Sequence, residues 1–488
     1  MKLSVQNLNE LSEKIALPTY DRSTLTAGIV HIGLGNFHRA HQAWYLHRLM
    51  QMGEAHDWAI IGAGVRAGDE AQRARLAGQD YLTTLIELDP KGRSAEVVGS
   101  MIDFVPVEPD NGALIAQMAE PAIRIVALTV TEGGYYIDPV TKAFDANHAD
   151  IVHDAANPDT PRTAFGAMVA ALKLRRDAGT GPFTGQSCDN LQGNGKILRQ
   201  TVVSLARMSD PALADWIDQN CSFPNAMVDC IVPATGPAEL EIARSFGVED
   251  AAPVTHENFR QWVIEDDFCA GRPAWEKAGA TMTNDVHAHE AMKIRILNGG
   301  HQLISNAGEV LGVEHISGCM EHPVIAAYFS KVAQEEIAPH VDSVPDITAQ
   351  EYVTLIEGRF ANPQIVDTVR RVAFDGSARQ TGFILPTLRD ALAAGTPIEG
   401  LALSQAIWAR MCAGTREDGS AIAPNDPIWD SLSTVALKAK DVPQLWLEQR
   451  TLYGDLGDNA KFSESFGKWL NMLWAQGTEE TLKNFINQ

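Results

Sequence analysis

Basic residues are scarce in this chain of 488 residues. Lys and Arg number 39 against 62 Asp and Glu, which gives a formal charge of −23 and a pI near 5.0. Because nucleic acids and anionic membranes attract positive charge, this balance argues against either as the main partner. An anionic ligand would have to be held by local groups rather than by the overall field.

Cysteine is sparse, and long apolar runs are absent. Six cysteines are scattered without a C-x-x-C pair, which is typical of reduced thiols in a cytoplasmic protein rather than of disulfides or a cysteine zinc site. The N-terminal "MKLSVQNLNELSEK" has no apolar core of signal-peptide length. No uninterrupted apolar run is long enough to cross a bilayer. We therefore expect a cytoplasmic protein.

The length exceeds the size at which one hydrophobic core keeps growing, so two domains are expected. The first part alternates strand-like and helix-like stretches, as in "GIVHIG" followed by "RAHQAWYLHRLMQM", and "AEVVGSM" and "IRIVALTVT" continue the series. This alternation predicts an α/β fold with a parallel sheet and crossover helices over 1–285. Strand signals are scarce afterwards, so 286–488 is predicted as a mostly α-helical second domain.

The third glycine of a dinucleotide-binding turn is missing from "GIVHIGLGNFHRAH", residues 28–41. In a Rossmann unit the first glycine permits the turn, the second lets the backbone approach the pyrophosphate and the third allows close helix packing. Gly33 and Gly35 fit the first two roles, and Ala40 is small enough for the third. The alternative is a strand that merely ends in glycines. The candidate site, with a helix start that presents N–H groups to phosphate, comprises Ile32, Gly33, Leu34, Gly35, Asn36, Phe37, His38, Arg39 and Ala40.

A dinucleotide site also needs an acid that binds the adenosine ribose. "WAIIGAGVRAGDE" supplies Asp69 after a strand. Its distance from the glycines exceeds the usual spacing of about 20 residues, and the longer helix and the "MGEAHD" loop explain the excess. An acid here repels a 2′-phosphate and favours NAD, whereas the nearby Arg66 could accept that phosphate and weakens the preference.

The stretch "HEAMKIRILNGGH", residues 289–301, carries four polar side chains among apolar ones. On an α-helix at about 100° per residue they share one broad face. Hydride transfer to or from an alcohol needs a base, and burial can bring the pKa of a lysine toward neutrality. The candidate roles are a general base for Lys293, a donor to the reacting oxygen for Asn298, a hydroxyl contact for His301 and a proton relay for Glu290. The alternative is a structural polar seam in which Lys293 pairs with Glu290.

The sequence lacks the catalytic motifs of other classes of dehydrogenase. The sequence has no Tyr-x-x-x-Lys motif and no Cys and His set for a catalytic zinc. His38 with His41, and His287 with His289, offer only two ligands each. Metal-free proton transfer by lysine is the best remaining chemistry.

Several blocks in one order resemble the polyol-specific long-chain dehydrogenases, the mannitol 2-dehydrogenase and fructuronate reductase family. They are "IVHIGLGNFHRAHQA", "LTVTEGGYYID", "SCDNLQGNG", "SFPNAMVD", "FRQWVIEDDF", "GRPAWEKAG", "MKIRILNGGH" and "RFANPQIVDTVRR". The resemblance implies that the long glycine turn binds NAD. It also implies a Rossmann-type N-terminal domain, an α-helical C-terminal domain, no metal, a small polyol or ketose as substrate and often a monomer.

The resemblance further implies individual roles. For the reaction itself these are a base at Lys293, a pair that holds the reactive oxygen at Asn298 and Asn190, a substrate-orienting residue at His301 and a relay carboxylate at Glu290. For binding they are substrate-hydroxyl contacts at Asp229 and Arg371, a ribose acid at Asp69 and a residue on the nicotinamide side at Glu132.

Two positions depart from the family pattern. The family usually has V-D-R where this chain has Val228-Asp229-Cys230, and Ser-Ser-Lys or Ser-Gln-Lys where it has Ser377-Ala378-Arg379. Arg379 keeps the charge but changes its reach and geometry. Arg295 could compensate for the lost charge or serve as a structural ion-pair partner.

The leading hypothesis is an NAD-dependent polyol 2-dehydrogenase that interconverts a hexitol such as mannitol with its 2-ketose. The alternative is a hexuronate reductase acting on fructuronate or tagaturonate, whose carboxylate needs a cation. Loss of an arginine at position 230 disfavours this alternative, and Arg295, Arg371 and Arg379 keep it open. A dinucleotide sensor without turnover is a third hypothesis from a different class.

Overall fold

The computed structural model describes residues 1–11, 13–138, 141 and 143–488. They form two compact units, Met1–Val286 and His287–Gln488. The first unit has buried apolar clusters around its sheets, and the second has its own apolar core of helix residues. Within these ranges no helix is both long and apolar enough to cross a membrane.

The first unit contains all the named strands and is built around a parallel sheet in the order β6-β3-β2-β7-β8. The inner strands β2 and β7 are almost entirely apolar and buried, as expected for strands covered on both faces. The strands are β1 (Ile15–Ala16), β2 (Ala27–Ile32), β3 (Ala59–Ala63), β4 (Thr83–Asp89), β5 (Gly92–Val98), β6 (Met101–Phe104), β7 (Ile125–Leu128), β8 (Thr184–Ser187), β9 (Ala226–Asp229), β10 (Val254–Glu257), β11 (Gln261–Glu265) and β12 (Thr281–Thr283).

The helices of this unit include the crossovers that a parallel sheet requires. The short α1 follows β2, and α6 is a largely buried helix capped by the Thr163 hydroxyl at its start and by Gly179 at its end. The helices are α1 (Asn36–Ala40), α2 (Gln42–Gln51), α3 (Asp69–Ala77), α4 (Gly112–Ala119), α5 (Ala149–Ala156), α6 (Ala164–Ala178), α7 (Asn194–Ser209), α8 (Pro211–Asn220) and α9 (Pro237–Ser245).

The "AEVVGSM" stretch does not continue the parallel series. Its strand β5 pairs antiparallel with β4 in a separate sheet of order β1-β5-β4-β10. The two strands are joined only by Pro90 and Lys91, and a connection this short makes a hairpin rather than a crossover. A further sheet has the order β12-β11-β9.

The second unit is helical throughout its named elements, as the sequence predicts. Its helices pack on a core in which the side chains of α11 and α18 are almost all buried. They are α10 (His287–Met292), α11 (Gly299–Leu311), α12 (Ile316–Glu321), α13 (Pro323–Val332), α14 (Ala349–Phe360), α15 (Val369–Val372), α16 (Gly376–Arg379), α17 (Leu385–Ala394), α18 (Glu399–Cys412), α19 (Trp429–Ala439), α20 (Gln444–Leu447), α21 (Arg450–Tyr453), α22 (Ala460–Gln476) and α23 (Thr478–Ile486).

Several of these helices are joined by wider, π-helical turns. Such turns lie at Lys293–Asn298 between α10 and α11, at Ala333–Ile337 after α13, and at Gln380–Ile384 between α16 and α17. π-turns are rare and occur mostly as local bulges in α-helices, often at functional sites. The second unit is therefore less regular than its apolar periodicity indicates.

A buried carboxylate caps the start of α18. Glu336 lies in the π-turn Ala333–Ile337, and its carboxylate accepts the backbone N–H of Gly400 at 2.7 Å and of Leu401 at 2.9 Å. Burial raises the pKa of Glu336 to about 7, although the two hydrogen bonds oppose the shift. The folded protein thus holds this proton more tightly than the unfolded chain, in which the ordinary pKa is 4.5.

We expect ionisation of Glu336 to cost stability as the pH rises from about 4.5 to about 7, because its pKa is raised by folding. A shift of this size corresponds to roughly 3 kcal/mol. Glu336→Gln removes the ionisation. The free energy of unfolding of this variant, measured relative to the wild type, should therefore be higher at pH 8 than at pH 5. Urea unfolding at both pH values measures this difference. Glu335→Gln, which changes the exposed neighbouring residue, is the control. If Glu336→Gln differed from the wild type by the same free energy of unfolding at both pH values, the expectation would be contradicted.

Candidate active site

The glycine turn lies where the order of the parallel sheet reverses. From β2 the chain continues to β3 and β6 on one side, while β7 and β8 lie on the other. Ligands of open α/β sheets bind at the carboxyl ends of the strands at this switch point. Gly33 follows β2 and Thr129 follows β7, so the turn occupies the position of a ligand site.

Both the backbone conformation and the lack of space for a side chain require glycine at position 33. Gly33 has φ of +93°, and a Cβ there would overlap the carbonyl oxygen of Thr129. The Thr129 hydroxyl donates to the Gly33 carbonyl, and the ring of buried His31 contacts the same hydroxyl at 2.8 Å. A Cβ at Gly35, in contrast, would meet no atom within 4 Å. Gly33 therefore shapes the turn, and Gly35 leaves open space above it.

A cavity of about 740 Å³ borders the turn, within the range of small-molecule and cofactor sites. Its lining includes Gly33, Gly35, Asn36, Asp69 and Thr131. The turn, the predicted ribose acid and the loop after β7 thus line one cavity of the first unit.

Asp69 is held in one orientation at the edge of this cavity. One of its carboxylate oxygens, Oδ2, accepts the backbone N–H of Val65 at 3.1 Å and of Arg66 at 3.0 Å. A side chain at Gly64 would overlap Asp69. Arg66 also lines the cavity and is exposed, so an acidic and a basic residue both border this cavity.

Arg39 is anchored by hydrogen bonds at the start of α1. Its buried guanidinium donates to the Ala252 carbonyl and to Asn36 Oδ1, and burial lowers its pKa to about 10. The Asn36 amide in turn donates to the Pro233 carbonyl and the Thr235 hydroxyl, both at 2.9 Å. These bonds fix the start of α1.

The other residues of the turn pack inside the unit. Ala40 is fully buried, consistent with close packing of the helix, and the Phe37 ring stacks on His41. His38 stacks on His31, and His41 Nε2 contacts the Gln261 carbonyl at 2.9 Å. Among the described residues, no three His, Cys, Asp or Glu side chains converge as a metal site.

Asp189 organises the loop that follows β7. Thr131 has φ of 70° and ψ of 160°, a costly conformation for a β-branched residue. The Asp189 carboxylate accepts the N–H of Val130 at 3.0 Å, the N–H of Thr131 at 2.9 Å and the Tyr135 hydroxyl at 2.6 Å. Burial raises the pKa of Asp189, and these bonds oppose that shift. The carboxylate thereby holds the strained loop against the cavity.

The remaining predicted residues of the first unit lie on neighbouring loops and strands. Glu132 is exposed at the start of a 3-10 turn, Asn190 is exposed after β8, and Asp229 is buried at the end of β9. Buried Asn194 connects the last two regions: its amide donates to the Asp189 and Ala226 carbonyls at 3.0 and 2.7 Å. The exposed Asn190 and the buried Asp229 thus belong to segments that one asparagine ties together.

In the second unit, Lys293 begins the π-turn Lys293–Asn298. The expectation of one regular α-helix over this stretch was wrong, because the wider turn changes the angle between residues before and after it. Lys293 and Glu290 are both buried, at 7% and 4% exposure. The Glu290 carboxylate contacts Nδ1 of the half-exposed His287 at 2.9 Å.

Arg295 is a structural ion-pair partner. Its guanidinium pairs with Asp390 at 2.7 Å and donates to the His340 carbonyl at 2.6 Å. It thereby joins the π-turn to α17 and to the loop after α13. Of the two functions that the sequence left open for Arg295, the structure shows the ion pair.

His301 is a neutral, mostly buried imidazole beside several arginines. Its ring stacks on Phe360 with 4.2 Å between centroids. Burial lowers the pKa of His301 to about 3; Asp367 opposes the shift, and Arg371 and Arg379 add to it. The ring can therefore donate and accept a hydrogen bond at neutral pH.

Arg371 and Arg379 are anchored differently. Arg371 makes a two-pronged ion pair with Asp367, at 2.7 and 2.5 Å, while most of its side chain is exposed. Arg379 donates to the Val372 carbonyl at 2.5 Å. Burial, and then Arg371, lower the pKa of Arg379. The structure thus brings His301 into the field of both predicted substrate arginines.

Sequence reasoning missed Asp189 and Asn194. Asp189 stands beside Asn190 in "SCDN" and Asn194 begins α7, yet neither has a local pattern that reveals its distant partners. The only available signal was their proximity to residues that had been singled out.

A Rossmann unit with its glycine turn at the switch point, followed by a helical unit, is the arrangement of a dinucleotide-binding protein. The model of the mannitol dehydrogenase Rossmann domain matches residues 27–277, and that of the mannitol dehydrogenase C-terminal domain matches 285–474. The chain is 55% identical over 476 residues to mannitol 2-dehydrogenase of Cereibacter sphaeroides, covering 98% of this chain and 100% of the relative. It is 39% identical to mannitol 2-dehydrogenase of Phaeosphaeria nodorum, covering 99% and 86%.

Solved structures agree with these relatives. The chain is 40% identical to Pseudomonas fluorescens mannitol 2-dehydrogenase in a ternary complex with NAD and D-mannitol, with a TM-score of 0.85 and 100% of both chains covered. A substrate-free D-sorbitol dehydrogenase is 32% identical with a TM-score of 0.94, covering 99% and 100%. The chain belongs to the mannitol dehydrogenase family and is an oxidoreductase. The predicted fold class and family resemblance are confirmed.

The two glycines should differ when each is replaced by alanine. Gly33→Ala introduces a Cβ that overlaps Thr129 at positive φ, so we expect the melting temperature to fall by several degrees. Gly35→Ala should leave it unchanged but weaken dinucleotide binding about tenfold or more, because the methyl group enters the space of the cofactor.

Thermal unfolding and titration with NADH measure the two effects in this pair. Equal melting temperatures for the two variants would contradict the structural role of Gly33. Unchanged NADH affinity in Gly35→Ala would mean that the cofactor does not approach this backbone.

Proposed function

We propose that this enzyme transfers a hydride between NAD and C2 of a hexitol such as mannitol, interconverting it with the 2-ketose, without metal and with Lys293 as general base. The observation that carries the proposal is Lys293 itself, a buried ammonium or amine on a π-turn with Glu290 before it and Asn298 at its end. The named mannitol 2-dehydrogenases that match over full length support the substrate class.

The first unit fits NAD. The open space above Gly35 accommodates a pyrophosphate, the start of α1 offers backbone N–H groups, and Asp69 can accept hydrogen bonds from ribose hydroxyls. When bound, the nicotinamide supplies the acceptor or donor of the hydride. Asp69 repels a 2′-phosphate, so NAD is preferred over NADP, and the exposed Arg66 limits the strength of that preference.

Lys293 in its uncharged form removes the hydroxyl proton during oxidation and returns it during reduction. Negative charge develops on the reacting oxygen, and the Asn298 amide donates to it. Asn190 is the second donor to this oxygen. These assignments use a base and preorganised donors, so the chain's own residues supply the proton chemistry without a metal.

Glu290 passes the proton onward from Lys293. Its hydrogen bond to His287, whose side chain is 44% exposed, gives the buried carboxylate a partner that water can reach. The relay thus runs from a buried base through a buried acid to a half-exposed imidazole.

His301, Arg371, Arg379 and Asp229 hold the other hydroxyl groups of the substrate. The imidazole of His301 is neutral because its pKa is about 3, so it serves either as donor or as acceptor. Glu132 belongs to the loop that borders the cofactor cavity and lies on the nicotinamide side.

A hexuronate reductase is the second candidate, favoured by one observation. Arg371 and Arg379 both act on His301 electrostatically, and such a pair of arginines suits a substrate carboxylate. Arg295 does not serve as a carboxylate-binding residue in this proposal, because its guanidinium is bonded to Asp390 and His340.

The substrate class is tested by NADH oxidation at 340 nm with D-fructose, D-fructuronate and D-tagaturonate. We expect turnover with fructose, retained after treatment with EDTA, and weaker turnover with NADPH. Turnover with a uronate only would assign the enzyme to the reductase branch. Loss of activity after EDTA would contradict the metal-free mechanism, and binding of NADH without any turnover would support a sensor.

Removing the base should separate catalysis from cofactor binding. In Lys293→Met, which keeps most of the volume of the side chain, we expect kcat to fall by about 10²–10⁴-fold, the usual contribution of general acid–base catalysis. The affinity for NADH should stay within about twofold. Stopped-flow assays and fluorescence titration measure these quantities, with the exposed lysine in Lys277→Met as control.

Retained turnover in Lys293→Met would exclude this residue as the base. Joint loss of NADH binding and of the folded state would show that the lysine is structural.

A further inference from the structure

The two substrate arginines lie on an irregular segment, residues 367–384, called here the arginine segment. It consists of the four-residue helices α15 and α16, the left-handed Asp375 with φ of 57°, and the π-turn Gln380–Ile384. Helices this short supply few backbone hydrogen bonds of their own. The conformation of the segment therefore depends on side chains from the elements around it.

A chain of buried hydrogen bonds reaches this segment from the C-terminal helices. The Trp446 indole N–H donates to the Tyr453 hydroxyl at 2.7 Å, and that hydroxyl donates to Gln405 Oε1 at 2.9 Å. The Gln405 amide donates to Gln380 Oε1 at 2.7 Å, and the Gln380 amide to Gln302 Oε1 at 3.5 Å. All five side chains are at most 1% exposed.

The last bond of this chain ends on the arginine segment. The Gln302 amide donates to the Val372 carbonyl at 3.1 Å, and Arg379 donates to the same carbonyl. Gln380 is the neighbour of Arg379 in sequence, Val372 is the neighbour of Arg371, and Gln302 is the neighbour of His301. The buried chain therefore ends at the contact that holds Arg379.

Its direction is fixed by its ends. An indole N–H can only donate, and a backbone carbonyl can only accept. Each amide between them must present its oxygen toward Trp446 and its NH₂ toward Val372. Removing one link leaves a buried donor or acceptor without its partner, and the groups beyond it must rearrange or remain unpaired.

We propose that Trp446, Tyr453, Gln405, Gln380 and Gln302 form a positioning network for Arg379, through which helices α20 and α21 determine how tightly the enzyme binds its substrate. The inference rests on the proposed function, which assigns Arg379 to the substrate. None of the five residues needs to touch the substrate for this effect.

Two variants break the network with little change of volume. Tyr453→Phe removes only the hydroxyl that links Trp446 to Gln405, and Gln405→Glu replaces the NH₂ that donates to Gln380 with an acceptor. We expect KM for the polyol to rise about tenfold, as for a lost buried hydrogen bond, with kcat within about threefold and NADH affinity unchanged.

Tyr328→Phe is the matched control. Tyr328 is fully buried in the same unit, and its hydroxyl donates to the Gly400 carbonyl at 3.2 Å, outside the network. We expect this variant to lose stability without a change in KM. A similar rise of KM in all three variants would show that the effect is general loosening of the unit and would overturn the proposal.

A double-mutant cycle tests whether the network acts through Arg379. In Arg379→Ala, the further change Tyr453→Phe should leave KM unchanged, because the arginine that the network positions is gone. An additional tenfold rise in that background would overturn the proposal.

Crystal structures of the wild type, Tyr453→Phe and Tyr328→Phe provide a readout that does not depend on turnover. We expect Arg379 to leave the Val372 carbonyl only in Tyr453→Phe. An unmoved Arg379 there would overturn the network whatever the activity. A displaced Arg379 in an enzyme that reduces no ketose would support the network while the proposed function fails.

Discussion

The close approach of Gly33 to Thr129 is the contact on which the first unit's site depends. It brings the end of β2 against the end of β7 at the point where the strand order reverses. Only a residue without Cβ permits it at φ of +93°. The cavity, the start of α1 and the loop held by Asp189 are all arranged around this turn. The cavity is thus a product of backbone packing, with side chains added at its edge.

Much of the fold follows from local pattern. Strand and helix alternation predicted the parallel sheet, and helical spacing predicted the second unit, because buried faces impose a period on the sequence. This reasoning did not predict that β5 is antiparallel. Its composition is that of a strand, and only the two-residue connection to β4 sets its direction. The π-turn at Lys293 escaped as well, because apolar spacing does not distinguish a wider turn from a regular one.

Candidate residues could be chosen from the sequence where they stand close together in it. Residues whose hydrogen-bond partners are distant in sequence could not. Lys293, Asn298 and His301 stand in one short stretch, and Gly33 and Gly35 in another. The anchoring of Arg39 was not predictable, because its partner Ala252 lies more than 200 residues away and no sequence pattern joins them. Asp189, Asn194 and the glutamines of the second unit were missed for the same reason, since each acts through partners on other elements.

The π-turn between α10 and α11 also has a consequence for how this protein can vary. Its wider turn fixes the rotation of His301 relative to Lys293 through the number of residues between them. Apolar positions in this stretch can exchange for others of similar volume. Insertion or deletion of one residue would change the rotation of His301 about the helix axis relative to Lys293. The apolar positions of the stretch from 293 to 301 are therefore open to substitution, whereas its length is fixed.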